Sequence, residues 1–281
     1  MKKILVLTDF SENATNALVY ACELFKYDIT EFIIMNAYQD KIYADDSVMT
    51  REALQKSSLA IGKKSKNKLE SLLDQTEKNC PNPYHTFNII SSNNILLDET
   101  DKIVDEENID LIVMGTHGEG NEKRLTFGSH TLQVLRYVCC PVLAIPENYK
   151  FKQLKHILFP TDFMIPYKKR ELKLLCEMVS PYDAEVDVLH ISKSNIMSIR
   201  QEDNQNFIKD ELCESKINFM TINSKNITKA IQNYLKEKPM DMLVMVNTRH
   251  SFLENILFQT TIDKISLNTD IPFLALQNMR R

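Results

Sequence analysis

The sequence lacks a basic excess and a long apolar run, and each absence excludes a class of function. The 34 lysines and arginines are outnumbered by 38 acidic residues, which leaves a formal net charge of −4 at pH 7. Such a chain has no overall attraction for nucleic-acid phosphates or for anionic membranes. The first apolar run, Ile4 to Leu7, is soon followed by Asp9 and is far too short for a signal peptide or a membrane span. We therefore expect a cytoplasmic protein that binds neither nucleic acid nor membrane.

The cysteines show none of the paired spacings that metal or redox motifs require. Six cysteines lie at positions 22, 80, 139, 140, 176 and 213, mostly among apolar neighbours. Zinc sites and thioredoxin-type motifs need closely paired cysteines. The adjacent pair Cys139 and Cys140 would form a disulfide only with unusual, strained geometry. We therefore expect reduced, mostly buried thiols and no metal site.

Glycine is scarce, and its distribution is uneven. The chain has five glycines, at 62, 115, 118, 120 and 128, so four of them fall within fourteen residues. This segment follows the apolar stretch from Asp110 to Met114 and precedes a helical pattern that runs to about Tyr137. Glycine lets backbone amides converge on an anion, and Ser129 would lie at a helix start, where the dipole favours negative charge. The pattern predicts a phosphate-binding loop, although the same glycines and Ser129 could serve only as a turn and a helix cap.

Several charged residues are secondary candidates for the same site. Asp9 follows the first predicted strand, where a carboxylate can accept from a ribose hydroxyl or hold a hydrated magnesium ion. Its alternative role is to form a turn beside Ser11. Lys123, Arg124 and His117 lie on the loop itself, but exposed loop cations usually stay in water. No residue is assigned a catalytic role.

The two halves of the chain resemble each other. Lys3 to Phe10 recurs as His156 to Phe163, a shift of 153 positions, and Asp110 to Met114 recurs as Asp241 to Met245, a shift of 131. A repeat of this length indicates two copies of one unit. The second copy is 22 residues shorter, and we place the loss opposite residues 38–83. The predicted domains are 1–147 and 153–281.

Each copy alternates between strand and helix patterns. Short apolar or alternating runs at 2–8, 31–37, 85–91, 109–114 and 140–145 are typical of parallel strands covered on both faces. Between the first two, apolar residues recur at helical spacing, with Ser11 placed to cap the helix and Glu12 favoured by its dipole. The sequence therefore predicts an α/β protein of two tandem, Rossmann-like, doubly wound parallel sheets, which bind ligands beyond the carboxyl ends of the strands.

The glycine spacing resembles a family signature. Two residues separate Gly115 from Gly118, nine separate Gly118 from Gly128, and Ser129 follows directly. This spacing is similar to the motif of nucleotide-binding universal stress proteins. The turn from Thr8 to Ser11 and the strand from Cys140 to Ala144 also look like the family.

This resemblance implies a site for an adenine nucleotide, ATP, ADP or AMP, with magnesium as a candidate companion. It places Asp9 and Ala37 around the adenosine and the end of the fourth strand along the ribose, and it places backbone amides or a hydroxyl at the phosphates. His130 departs from the small apolar residue usual at its position. The full implied set is Thr8, Asp9, Ala37, Met114, Gly115, Gly118, Gly128, Ser129, His130 and Thr131.

The second copy has lost the motif. By the 131-residue shift, Gly115, Gly118, Gly128 and Ser129 become Val246, Arg249, Gln259 and Thr260. β-Branched and bulky residues resist a close backbone approach to an anion, so this copy is predicted to be degenerate. We expect it to pair with the first as an internal pseudo-dimer, and a homodimer is also plausible.

These inferences lead to a regulatory stress-response protein whose first domain binds an adenine nucleotide. Because no general base or dedicated transition-state cation stands out, any hydrolysis should be slow. Two alternatives remain open at this point. One is a magnesium-dependent ATP hydrolase or nucleotidyl-transferring enzyme that uses Asp9, and the other is a nucleotide-free interaction scaffold.

Overall fold

The computed structural model of the protein consists of two α/β units. It describes residues 1–43, 50–117, 127–194, 196–212, 216–248, 253 and 270–278. Contacts among these residues divide the chain between Phe151 and Lys152. In both units the strands pair in parallel, which confirms the predicted fold class.

The described residues of the first unit form five parallel strands and five helices. Its strands are β1 (Lys2–Leu7), β2 (Thr30–Ala37), β3 (His85–Ser92), β4 (Leu111–Gly115) and β5 (Val142–Ile145). Its helices are α1 (Glu12–Leu24), α2 (Gln39–Tyr43), α3 (Arg51–Asn79), α4 (Leu96–Glu107) and α5 (Ser129–Tyr137). The ends of the five predicted strands differ from the observed ends by at most two residues. The strand order is β3-β2-β1-β4-β5.

This strand order creates a switch point between β1 and β4. From β1 the chain builds outward through β2 and β3, and it then returns to add β4 and β5 on the other side. β1 and β4 pair in the register of Val6 with Val113, so continuing this register sets Thr8 beside Gly115. In open parallel sheets, ligands bind in the crevice at such a point, beyond the carboxyl ends of the strands.

Helix α1 covers the centre of the first sheet with small side chains. Ala14, Ala17 and Ala21 are buried at the spacing of one helical face. The predicted cap is confirmed, because the Ser11 Oγ accepts a hydrogen bond of 3.1 Å from the Ala14 amide. Glu12 lies in the first turn, where its charge complements the helix dipole. The alanine face allows α1 to lie close to the sheet and brings its N-terminus to the carboxyl end of β1.

The second unit has the same order of strands. They are β6 (His156–Thr161), β7 (Glu185–Ser192), β8 (Lys216–Asn223), β9 (Met242–Asn247) and β10 (Phe273–Gln277). They pair in the order β8-β7-β6-β9-β10. Its helices include α6 (Lys169–Val179), α7 (Ile199–Glu211) and α8 (Ile227–Glu237). The connection between β7 and β8 holds residues 193–215, whereas the one between β2 and β3 holds residues 38–84, so the shortening lies where it was predicted.

An unusual turn follows the first strand of both units. Phe10 has a φ of 71° and Phe163 has a φ of 55°. Residues other than glycine rarely adopt such positive φ values. In each turn the phenylalanine amide donates to the threonine hydroxyl two residues earlier, at 3.0 Å for Thr8 and 2.9 Å for Thr161. The two units therefore share a strained local conformation as well as a strand order.

Within the described ranges, no helix combines the length and the apolar character that crossing a membrane requires.

A buried carboxylate joins α8 to the second sheet. Asp187 on β7 is fully buried. It accepts hydrogen bonds from Lys238 Nζ at 2.5 Å, from the Tyr234 hydroxyl at 2.9 Å and from Asn218 Nδ2 at 2.9 Å. Burial alone would raise the pKa of Asp187, but these donors and the lysine charge outweigh it and hold the pKa below its usual 3.8. The carboxylate is therefore stabilised in its ionised form.

Replacing Lys238 with methionine should destabilise the protein. The change leaves Asp187 buried with neutral donors only, so we expect the free energy of unfolding at pH 7 to fall by about 2 kcal/mol. Because the native pKa of Asp187 is depressed, this loss is complete above pH 4 and shrinks as the pH falls through the native pKa. Urea unfolding followed by circular dichroism measures the change.

Lys236→Met is the matched control, since Lys236 is an exposed lysine in the last turn of the same helix. It should change the stability by no more than about 0.5 kcal/mol. Equal losses in the two variants would contradict the importance of the Asp187 pair.

Candidate functional site

The residues predicted around a nucleoside lie along the carboxyl edge of the first sheet. Thr8 and Asp9 follow β1, Ala37 ends β2, and Met114 and Gly115 end β4. Since β1 lies between β2 and β4, the structure brings these five residues to adjacent strand ends. Thr8 and Met114 are buried, whereas Asp9 and Ala37 are half-buried.

Asp9 takes part in the turn that starts α1. Its Oδ1 accepts a hydrogen bond of 2.9 Å from the Ser11 amide, as in the turn-forming alternative. A carboxylate offers about four acceptor positions, so this bond is compatible with a ligand hydroxyl. The turn fixes the direction of the Asp9 side chain relative to the strand end.

Gly115 is required by packing within the protein. A Cβ at this position would lie 2.6 Å from Asn13 Nδ2 and 2.8 Å from Asn13 Cγ. Asn13 is only 6% exposed, and its Nδ2 donates to the His117 carbonyl at 3.0 Å. Our sequence analysis missed Asn13, although an asparagine on an alanine-rich helix face is a recognisable signal. The glycine lets α1 and the end of β4 meet directly beneath the crevice.

Gly128, which is predicted to face phosphates, and Thr131, which belongs to the predicted set, both bond α5 to the end of β4. The Gly128 amide donates to the Thr116 carbonyl at 2.8 Å. The Thr131 hydroxyl, on a residue only 3% exposed, lies 3.1 Å from the Gly115 carbonyl and 3.2 Å from that of Thr116. We call these bonds the β4–α5 clamp. They position the start of α5 at the switch point.

The first turn of α5 presents backbone amides at this edge. Gly128 is the N-cap, and Ser129 is the first helical residue rather than the cap. The first intrahelical bond runs from the Leu132 amide to the Gly128 carbonyl, so the amides of Ser129, His130 and Thr131 precede it. Such amides have no partner within their helix, and the dipole makes them favourable toward an anion. Ser129 and His130 are exposed.

The His130 ring lies beside an acidic residue. Its Nε2 is 3.7 Å from Asp40 Oδ2 of α2, and both side chains are more than half exposed. An exposed pair of this kind contributes little to stability. The ring is therefore directed toward α2, and the backbone amide is the part of His130 that is suited to an anion.

A chain of buried polar groups supports the Thr8 end of the crevice. Asn36 Nδ2 donates to the Thr8 carbonyl at 2.6 Å, and Asn36 Oδ1 accepts from the Ser65 hydroxyl at 2.8 Å. The Ser91 hydroxyl donates to Ser65 Oγ at 2.8 Å. This chain links the ends of β1, β2 and β3 to α3. Sequence analysis missed it, although a polar residue after the apolar run of β2 is a usable signal.

The same edge of the second unit is covered by protein side chains. Gln201 Nε2 and Asn204 Nδ2 of α7 donate to the carbonyls of Asp162 and Phe163 at 2.8 and 2.6 Å. His190 is buried nearby, and burial lowers its pKa while Asp162 acts in the opposite direction. Val246 stands where the first unit has Gly115, and it is buried. Among the described residues of this edge, a β-branched side chain therefore takes the place of Gly115.

Several predicted residues lie outside the described residues. They are Gly118, Lys123, Arg124, Arg249, Gln259 and Thr260. Within the ranges that the structure does describe, no group of three or more histidine, cysteine or acidic side chains could hold a metal ion.

The family model and a curated relative indicate one family. The sequence model of the universal stress protein family matches residues 1–146. Universal stress protein MJ0577 of Methanocaldococcus jannaschii is 28% identical over 155 residues, which cover 52% of this chain and 96% of that protein.

Solved structures extend the likeness of fold along the chain. A universal stress protein from Archaeoglobus fulgidus has a TM-score of 0.66 at 17% identity, covering 98% of this chain and 96% of its own. The protein PA1789 of Pseudomonas aeruginosa, described as functionally unknown, has a TM-score of 0.59 at 12% identity, covering 99% of this chain and 92% of its own. At these identities the two matches show the fold alone.

The packing of Gly115 against Asn13 predicts a strong coupling between the two positions. Gly115→Ala should lower the free energy of unfolding by about 2 kcal/mol, because the added methyl overpacks a buried amide. In an Asn13→Ala background the amide is gone, so the same change should cost less than about 1 kcal/mol. Urea unfolding of the wild type, both single variants and the double variant measures the coupling. Equal costs in the two backgrounds would show that Asn13 does not determine the need for glycine.

Proposed function

This chain belongs to the universal stress protein family, and we propose that its first unit binds an adenine nucleotide, ATP, ADP or AMP, in a regulatory role. The proposed site is the crevice between the ends of β1 and β4. The observation that carries the proposal is the β4–α5 clamp, in which the Gly128 amide and the Thr131 hydroxyl bond to carbonyls at the end of β4. The clamp sets a helix N-terminus at the switch point of a parallel sheet, where phosphates are favoured.

The phosphates would lie at the start of α5. The amides of Ser129 and His130 precede the first intrahelical bond, and the exposed Ser129 hydroxyl adds a further donor. A helix N-terminus carries about half a positive charge, so it favours a phosphate without a dedicated lysine. Because the clamp already holds α5 in place, binding requires little reordering of these donors. Gly118 is proposed to contribute a further amide on the basis of the sequence motif.

The nucleoside would lie along the ends of β1 and β2. A ribose hydroxyl can donate to the Asp9 carboxylate, whose direction is fixed by its bond to the Ser11 amide. The buried chain from Asn36 to Ser65 holds the Thr8 carbonyl next to it. Ala37 ends β2 with a small side chain, which leaves room for the base beside the strand. Met114 and Gly115 complete the ribose side.

We also propose that the second unit, residues 153–281, is a degenerate copy without this site. Two observations support this proposal. Gln201 and Asn204 donate hydrogen bonds to carbonyls of the turn after β6, and the residue at position 246 is a buried valine. Side chains that satisfy the turn carbonyls occupy the place that a nucleoside would need. The second unit is then a partner of the first rather than a second binding site.

The two units provide a matched pair of substitutions. Asp9 and Asp162 each accept a bond of 2.9 Å from the amide two residues later, and asparagine keeps that acceptor while removing the charge. Asp9→Asn should weaken nucleotide binding about tenfold, because a hydrogen bond to a charged acceptor is replaced by a neutral one. Asp162→Asn should leave the dissociation constant unchanged within about twofold. Isothermal titration with ATP, ADP, AMP and inorganic phosphate, after removal of co-purified nucleotide, measures both.

Three results would reject or redirect the proposal. Undetectable binding of every nucleotide to the wild type rejects it and favours the scaffold alternative. Equal weakening in the two variants rejects the placement of the site in the first unit. ATP turnover that disappears in Asp9→Ala would favour the enzyme alternative, whereas binding without turnover supports a regulatory role.

A further inference from the structure

An open pocket of about 360 Å³ lies on the outer side of α1. The residues that line it all belong to the first unit. Glu12, Asn16 and Val19 line it from α1, and their spacing of four and three residues sets them on one helical face. The alanine face of α1, which packs on the sheet, is the opposite face of the helix. The pocket is therefore separate from the crevice at the strand ends.

Aromatic rings form two walls of this pocket. Phe10 and Phe151 both line it, and both are half-buried. The wall that contains Phe151 is held against α1, because Asn16 Nδ2 donates to the Tyr149 carbonyl at 2.9 Å. The Phe151 ring also meets the Tyr20 ring edge-on, with 5.3 Å between the two centroids. The protein's own contacts thus fix this wall.

The second unit shows that the turn after the first strand does not by itself leave a phenylalanine exposed. Phe163, the counterpart of Phe10, is fully buried. Its ring centroid lies 4.9 Å from that of His190 and 6.4 Å from that of Phe219. The Phe10 ring instead lines the pocket and has Lys68 Nζ 5.0 Å from its centroid. The open ring of Phe10 is therefore a feature of the first unit.

Two charges of opposite sign lie at the rim of the pocket. Glu12 and Lys150 both line it, and both are exposed. Within the ranges that the structure describes, neither side chain takes part in an ion pair. A carboxylate attracts an ammonium group, and a lysine attracts a carboxylate. Apolar walls beside both charges suit a ligand that carries a ring and both charged groups.

We propose that this pocket binds a free aromatic amino acid. The ring would pack on Phe10, Val19 and Phe151, the ammonium group would face Glu12, and the carboxylate would face Lys150. Small-ligand pockets span about 300–1,000 Å³, so a volume of about 360 Å³ suits an amino acid better than a nucleotide. The proposal does not depend on nucleotide binding.

The test is a titration of the full-length protein followed by saturation-transfer NMR. The ligands are L-phenylalanine, phenethylamine, which lacks the carboxylate, and 3-phenylpropionate, which lacks the ammonium group. We expect a dissociation constant of about 1 mM for L-phenylalanine. Each analogue should bind about threefold more weakly, because one exposed ion pair is lost. Saturating ATP should leave the L-phenylalanine titration unchanged, since the crevice lies on the other side of α1.

Substitutions at the rim should follow the missing charge of the ligand. Glu12→Gln should weaken L-phenylalanine about threefold and leave 3-phenylpropionate unchanged. Lys150→Met should weaken L-phenylalanine to a similar extent and leave phenethylamine unchanged. Glu23→Gln is the matched control, because Glu23 lies on the same helix and outside the pocket, and it should bind all three ligands like the wild type. Val19→Trp should fill the pocket and weaken all three more than about tenfold.

Four results would overturn the proposal. They are no saturation transfer to L-phenylalanine at about 10 mM, displacement of L-phenylalanine by ATP, equal affinities of the wild type for the three ligands, and unchanged binding in Val19→Trp. The first three are read on the wild type, so the test holds even if a variant fails to fold. The affinity for ATP is measured separately, so failure of this proposal leaves the proposed nucleotide site standing.

Discussion

The β4–α5 clamp is the interaction on which the candidate site depends. Two donors of the glycine-rich segment, the Gly128 amide and the Thr131 hydroxyl, bond to carbonyls at the end of β4. They bond the N-terminus of α5 to the strand end at the switch point of the sheet. A hydrogen bond that is buried and satisfied is favourable, and losing one partner would leave a buried polar group without compensation. The clamp thus gives the start of α5 a defined position at the carboxyl edge of the sheet.

The two units have the same scaffold but differ in the side chains at the carboxyl edge of the sheet. Both have the same strand order and the same strained phenylalanine after the first strand. In the first unit, Ala37 ends β2 with a small side chain, and Gly115 ends β4 against the side chain of Asn13. In the second, Gln201 and Asn204 bond to the turn carbonyls. The local turn is therefore alike in the two units, and in the second unit the neighbouring helix bonds to it.

Sequence patterns predicted much of the fold and less of the site. Period-two and continuous apolar runs located the five strands of the first unit, and the capping pattern at Ser11 was confirmed. The glycine cluster correctly marked the junction between β4 and α5, but the roles of its members could not be assigned from spacing. Gly115 is constrained by Asn13, which lies 102 positions earlier, and Asn36 on β2 accepts a hydrogen bond from Ser65 on α3. The binding roles of the predicted site residues, and the assignment of 153–281 as a degenerate copy, stay predictions.

By itself, the sequence determined local features of the chain and its internal repeat. Hydrophobic period, helix caps, glycine spacing and the internal similarity of the halves are properties of neighbouring residues or of direct comparison, and they fixed the fold class and the family. Only the tertiary structure decided which groups meet. The packing of Gly115 against Asn13, the chain from Asn36 to Ser91 and the engagement of Gly128 and Thr131 all join residues that folding brings together. A donor's partner depends on the packing of whole helices and strands, and that packing has no local signature in the chain.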